Sequence, residues 1–134
     1  MTPRGSGPRK ANRAEATKYL GKAVEFLEVA REARKEDRRT AATTLAVHAG
    51  ISACDAIAVV ELGSKWSGLH DGAVKHVKAA PLVGKEAARH LSRLHNVKSR
   101  AEYDPVAPSS AAATSALKSA ERLVELAGAA VHRK

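Results

Sequence analysis

Residues 40–62, TAATTLAVHAGISACDAIAVVEL, hold only His48, Cys54, Asp55 and Glu61 as titratable groups among 23 positions. Alanine, valine, leucine and isoleucine fall on every side of a helical wheel drawn through this stretch, so no face of it suits water. Gly63 follows and can take the left-handed conformation that ends a helix. A helix from about Thr40 to Leu62 that is apolar all round must be enclosed by other elements, which makes it the buried centre of a helical bundle.

The rest of the chain supplies the enclosing helices. From about Ala11 the apolar positions Tyr19, Leu20, Ala23, Phe26, Leu27, Ala30 and Ala33 recur at spacings of three and four before the pattern fades into RKEDRR. GSKWSGLHDG has the glycine and serine content of a loop, and Trp66, the only tryptophan, is expected to plug a bundle end. A short helix is expected over 71–79, and Pro81 punctuates before a third long helix over 82–100. Ser109 or Ser110 should N-cap a last helix, whose stripe is Ala113, Ala116, Leu117, Ala120, Val124, Ala127 and Val131. Aromatic residues make up only 3% of the chain, which disfavours a sheet. The expected fold is all-α, an up-and-down four-helix bundle with one extra short helix, over residues 14–134.

Residues 1–13, with Pro3, Gly5, Gly7 and Pro8 among Arg4, Arg9 and Lys10 and no acid, read as a flexible basic tail. That start has no apolar core of a signal peptide, and no apolar run approaches the roughly 18 residues of a membrane span. Cys54 is the one cysteine and cannot form an intrachain disulfide. A cytoplasmic protein with no membrane partner is expected.

Two groups of polar residues stand out. His48, Ser52 and Asp55, at i, i+4 and i+7, share a narrow arc of the buried helix. They read as a polar seam that fixes helix register, with a cation, histidine or backbone donor meeting Asp55, because a buried carboxylate without one is costly. Ser52 lies inside a regular helix and lacks the sharp elbow of a nucleophilic serine. On the third long helix, Val83, Ala87, Leu91, Leu94, Val97 and Ala101 form one face, and Lys85, Arg89, Arg93, Asn96 and Arg100 the opposite one. Between residues 75 and 100 the only acid is Glu86. With a net charge of +9, polyanions are natural partners, and RNA, DNA and acidic proteins all qualify. Lys85, Arg89, Arg93 and Lys98 are the candidate nucleic-acid contacts; aromatic residues for base stacking are nearly absent there, so binding should go mainly through backbone phosphates.

No metal or cofactor is expected: histidines do not pair at i, i+4, and HExxH, CxxC and glycine-rich phosphate loops are missing. The ordered segments YLGKAVEFLEVA, AVHAGISACDAIAVVELG, GLHDGAVKHV, HNVKSRAEYDP and SSAAATSALKSAERLVELA resemble the HEPN superfamily of small helical bundles, over about residues 14–132. The nearest branch is the small prokaryotic HEPN proteins of toxin–antitoxin or defence systems, and RAEYDP is the most specific part of the likeness. The resemblance implies a homodimer whose third long helices end in a shared cleft. It further implies metal-independent ribonuclease activity in many members, often with a nucleotidyltransferase or antitoxin partner. Active members carry arginine, a polar residue, then histidine several residues on. Aligned on Asn96, this chain has His95 where arginine belongs and Arg100 where histidine belongs. Arg89 and His95 repeat the spacing earlier, about 120° apart on the wheel.

The favoured expectation is a non-catalytic or weakly active relative that binds RNA, a nucleotide or a protein partner through a basic dimer cleft. The alternative is a metal-independent ribonuclease whose centre is His95 with Arg89 or Arg100, helped by Asn96 and Tyr103. A plain helical oligomerisation module is the third reading.

Overall fold

The computed structural model describes residues 7–68 and 70–133, with the side chain of His70 excepted. It is an all-α bundle of four long helices and one short one, with a two-stranded antiparallel ribbon at one side. The elements run β1 (Gly7–Lys10), α1 (Arg13–Lys35), α2 (Arg39–Leu62), β2 (Ser64–Ser67), α3 (His70–Lys78), α4 (Gly84–Tyr103) and α5 (Ser110–His132).

α2 is enclosed as its composition demands: it packs against α1, α5, α4, α3 and β2. Alanines at 42, 46, 49, 53 and 56, with Val47 and Ile57, are sealed from solvent. The small residues let neighbours approach closely. A Cβ added at Gly50 would lie 2.2 Å from Cδ1 of Leu94 on α4 and 3.2 Å from Cδ1 of Leu123 on α5. Among the described residues, α2 is the one helix long and apolar enough to cross a membrane, a property that run length did not register; 61% of its most apolar window is buried by the rest of the chain. Gly63, at φ 70°, ends it, its N–H donating to Val59 O at 3.0 Å.

Polar contacts at the helix ends set the register of the outer helices. Asn12 caps α1 by accepting from Glu15 N at 3.1 Å, and Ser109 caps α5 by accepting from Ala112 N at 3.0 Å. Arg13, at the start of α1, donates to the carbonyls of Val131 and Arg133 at the end of α5, where the helix leaves acceptors unsatisfied. Arg34, at the other end of α1, donates to Thr114 Oγ1 at 3.0 Å and Ser110 Oγ at 2.6 Å. α1 and α5 are thereby tied antiparallel at both ends.

The amino-terminal stretch corrects one expectation. Residues 7–10, assigned from composition to a flexible tail, form β1 and pair with β2 in the register Gly7 to Ser67, Pro8 to Trp66, Arg9 to Lys65 and Lys10 to Ser64. Ala11 N continues the attachment by donating to Gly63 O at 3.1 Å. Residues 1–6 of that expected tail lie outside the described residues. The connection read as a loop therefore contains a strand, and its position is held by a partner more than fifty residues away.

Candidate binding site

The ribbon makes one wall of a pocket of about 280 Å³ between α2, β2, α3 and α4. Asp55 of α2, Lys65 and Trp66 of β2, His76 of α3 and His95 of α4 line it, over an apolar floor that includes Ile51, Val77 and Leu91. Each arrives for a local reason. Asp55 lies four residues after Ile51 and so shares its side of α2. Lys65 faces it because β2 folds back from Gly63 and is clamped by β1. His95 lies four residues after Leu91 and one helical turn along the same side of α4.

Asp55 meets Lys65 Nζ at 3.7 Å, and each side chain is 20% exposed. The expected partner for the buried carboxylate is thus a lysine. Burial nevertheless outweighs that ammonium and pushes the Asp55 carboxyl up to about 6. Lys65 also sits 4.9 Å from the centroid of the Tyr19 ring on α1, a cation–π contact. Cys54, beside Asp55 and buried, has its thiol pushed above the ordinary range by burial first and by the Asp55 charge second, which makes it a poor nucleophile.

His76 Nε2 lies 3.1 Å from the Ser64 carbonyl and 3.2 Å from Ser64 Oγ. A carbonyl can only accept, so Nε2 carries the proton, and in the neutral ring Nδ1 is the acceptor. The Trp66 and His76 rings are 6.1 Å apart. Trp66 lies so close on Gly72 of α3 that a Cβ there would fall 2.1 Å from Cζ2. The tryptophan expected to plug a bundle end instead joins the ribbon to α3.

The three residues of the expected seam part company. Asp55 reaches the pocket; Ser52 is buried in the bundle; His48 packs on Phe26 of α1 with ring centroids 5.5 Å apart. The expected catalytic group is likewise divided. His95 lines the pocket and its Nε2 is shielded from solvent. Arg100 lines a separate depression with Asp104 and Ser109, Asn96 a groove against α5 with Arg93 and Ser115, and Tyr103 is 81% exposed.

The basic stripe is present as a surface. Lys85, Arg89, Arg93, Asn96 and Arg100 are all exposed along the outer side of α4, and Lys98 is half-buried away from them. Among the described residues, Lys85, Arg89, Arg93 and Arg100 make no ion pair. Glu86 is taken by Arg122 of α5, with Nε to Oε2 at 2.5 Å and Nη2 to Oε1 at 3.0 Å, and this bidentate bond holds its carboxyl below the usual range. His90 lies 3.7 Å from the same carboxylate; partial burial lowers its imidazole.

Among the described residues, no three His, Cys, Asp or Glu side chains come together as a metal site requires. Lys65 and His76 were not singled out from the sequence, and Trp66 was expected only as a plug at a bundle end. The need of Asp55 for a cation was a signal for Lys65, but nothing local distinguished Lys65 from the other lysines. No protein-family model matches the chain, and no curated protein matches it significantly.

Proposed function

We propose that this chain is a cytoplasmic, non-catalytic RNA-binding bundle of HEPN type, which grips backbone phosphates with the outer side of α4 and acts as a homodimer. The observation that carries the reading is the exposed row of Lys85, Arg89, Arg93 and Arg100, at i, i+4, i+8 and i+15, which make no ion pair among the described residues while Glu86 is held by Arg122. Cations so arranged release condensed counterions when they meet a nucleic acid, and this gives affinity with little sequence dependence. A non-catalytic role is supported by the division of the would-be catalytic pair between a half-buried pocket and an exposed helix side. The dimer is supported by Tyr103 and Val106, 81% and 72% exposed at the exit of α4, where a second copy would cover them.

The test is RNA affinity measured against salt. Binding should weaken as a straight line in log Kd against log salt, and Arg89→Ala and Arg93→Ala should each reduce the slope by about one ion. Salt-independent binding, or slopes unchanged in both variants, would remove the phosphate-gripping role from α4.

A further inference from the structure

The pocket between α2, β2, α3 and α4 stands apart from the outer side of α4, and its chemistry differs from that of a phosphate site. A carboxylate and an ammonium stand side by side in it, and its lining includes apolar side chains and the one tryptophan. At about 280 Å³ it falls just under the range of pockets for drug-sized ligands, about 300–1,000 Å³. That suits one planar, hydrogen-bonding ring with its sugar.

We infer that this pocket is a guanine-base site in which Asp55 and Lys65 read the Watson–Crick edge of the base. A carboxylate beside an ammonium offers acceptors and then a donor. Guanine presents the complement, with the adjacent donors N2–H and N1–H for Asp55 and the acceptor O6 for Lys65. Adenine and cytosine each offer this pair one donor and one neighbouring acceptor, so they engage the carboxylate once where guanine engages it twice. His76 and His95 border the same space, together with the apolar side chains of Ile51, Val77 and Leu91. The inference rests on the RNA-binding reading only for the origin of the base: a nucleotide unstacked from a strand held on α4, or a free guanine nucleotide, brings the same edge.

Trp66, being the only tryptophan, reports on the pocket directly. Its emission in the full chain should be quenched on titration with guanosine. Inosine, which lacks the 2-amino group, should bind about tenfold more weakly, and adenosine no better than inosine. Asp55→Asn should abolish the preference for guanosine over inosine with the helical circular dichroism unchanged. Ala73→Leu, which adds bulk to the pocket wall and removes no polar group, should block quenching.

Equal response to all three nucleosides, none at millimolar concentration, or an unaltered preference in Asp55→Asn would overturn the guanine site. Guanosine carries no phosphate, so this titration does not depend on the α4 cations. Loss of quenching with salt-dependent RNA binding retained defeats the pocket alone, whereas quenching without RNA binding defeats the α4 reading and leaves the pocket a site for free guanine nucleotides. Tighter binding of UUGUU than of UUAUU would assign the base to a strand, and equal binding of the two with guanosine still bound would assign it to the free nucleotide.

Discussion

His95 and Arg100 leave α4 on different sides: the imidazole lines the pocket behind β2, and the guanidinium borders an exposed depression near Ser109. Five residues at 100° each place them about 140° apart. Within one protomer the two groups therefore do not face a common phosphate, which general acid–base catalysis with charge stabilisation would require.

The first expected outcome concerns chemistry. Labelled RNA incubated with purified protein in chelator should stay intact, and His95→Ala should leave that unchanged. Arg100→Ala should weaken RNA binding at low salt. Cleavage by the parent protein that disappears in His95→Ala would show that a dimer reassembles the pair and would reverse the non-catalytic reading.

Asp55→Asn separates burial from pairing through its pH dependence. The Asp55 carboxyl is raised from 3.8 to about 6 in the folded chain. Between those values the native state retains a proton that the unfolded chain has released, so stability falls as pH rises through that window. The contribution is fully present below about pH 4 and gone above about pH 6 to 7. Asparagine cannot ionise, so the variant should be more stable than the parent by about 1–3 kcal/mol at pH 7.5 and no more stable at pH 4. Urea unfolding followed by circular dichroism at the two pH values reads this directly.

Gly72 is expected to be intolerant of a side chain. A new Cβ would meet Trp66 Cζ2 at 2.1 Å and Cε2 at 2.2 Å, and a rigid ring cannot relieve this by a small rotation. Gly72→Ala should shift Trp66 emission to longer wavelength as the indole is displaced toward water. It should also cost about 1–3 kcal/mol, despite a helix-propensity gain of about 1 kcal/mol. Unchanged emission together with higher stability would mean that the ring has room the structure does not give it.

Core and surface leucines should differ sharply. Leu123 is fully buried on α5, and Leu82 is 64% exposed between α3 and α4. Leu123→Ala should cost about 2–5 kcal/mol and Leu82→Ala less than about 0.5 kcal/mol in the same denaturant titration. Comparable losses would place Leu82 in a contact that the monomer lacks.

The sequence by itself determined the helices and the enclosure of α2. The apolar spacing of Leu20, Ala23, Leu27 and Ala30, the all-round apolarity of residues 40–62, the stop at Gly63 and the cap at Ser109 are set within a few residues, and helix formation uses hydrogen bonds of equally short range. The outer position of Lys85, Arg89 and Arg93 followed from the same periodicity, since a helix with one apolar side turns the other to water. The ribbon did not follow. GPRK has no alternating pattern, and its pairing with SKWS depends on a partner distant in the chain and on the hydrogen bond from Ala11 to Gly63. Only the tertiary structure decided that Asp55, Lys65, His76 and His95 share a pocket while His48 and Arg100 stand elsewhere. Helix crossings and strand pairing bring residues together across long separations, and the local spacing of residue types carries no record of which will meet.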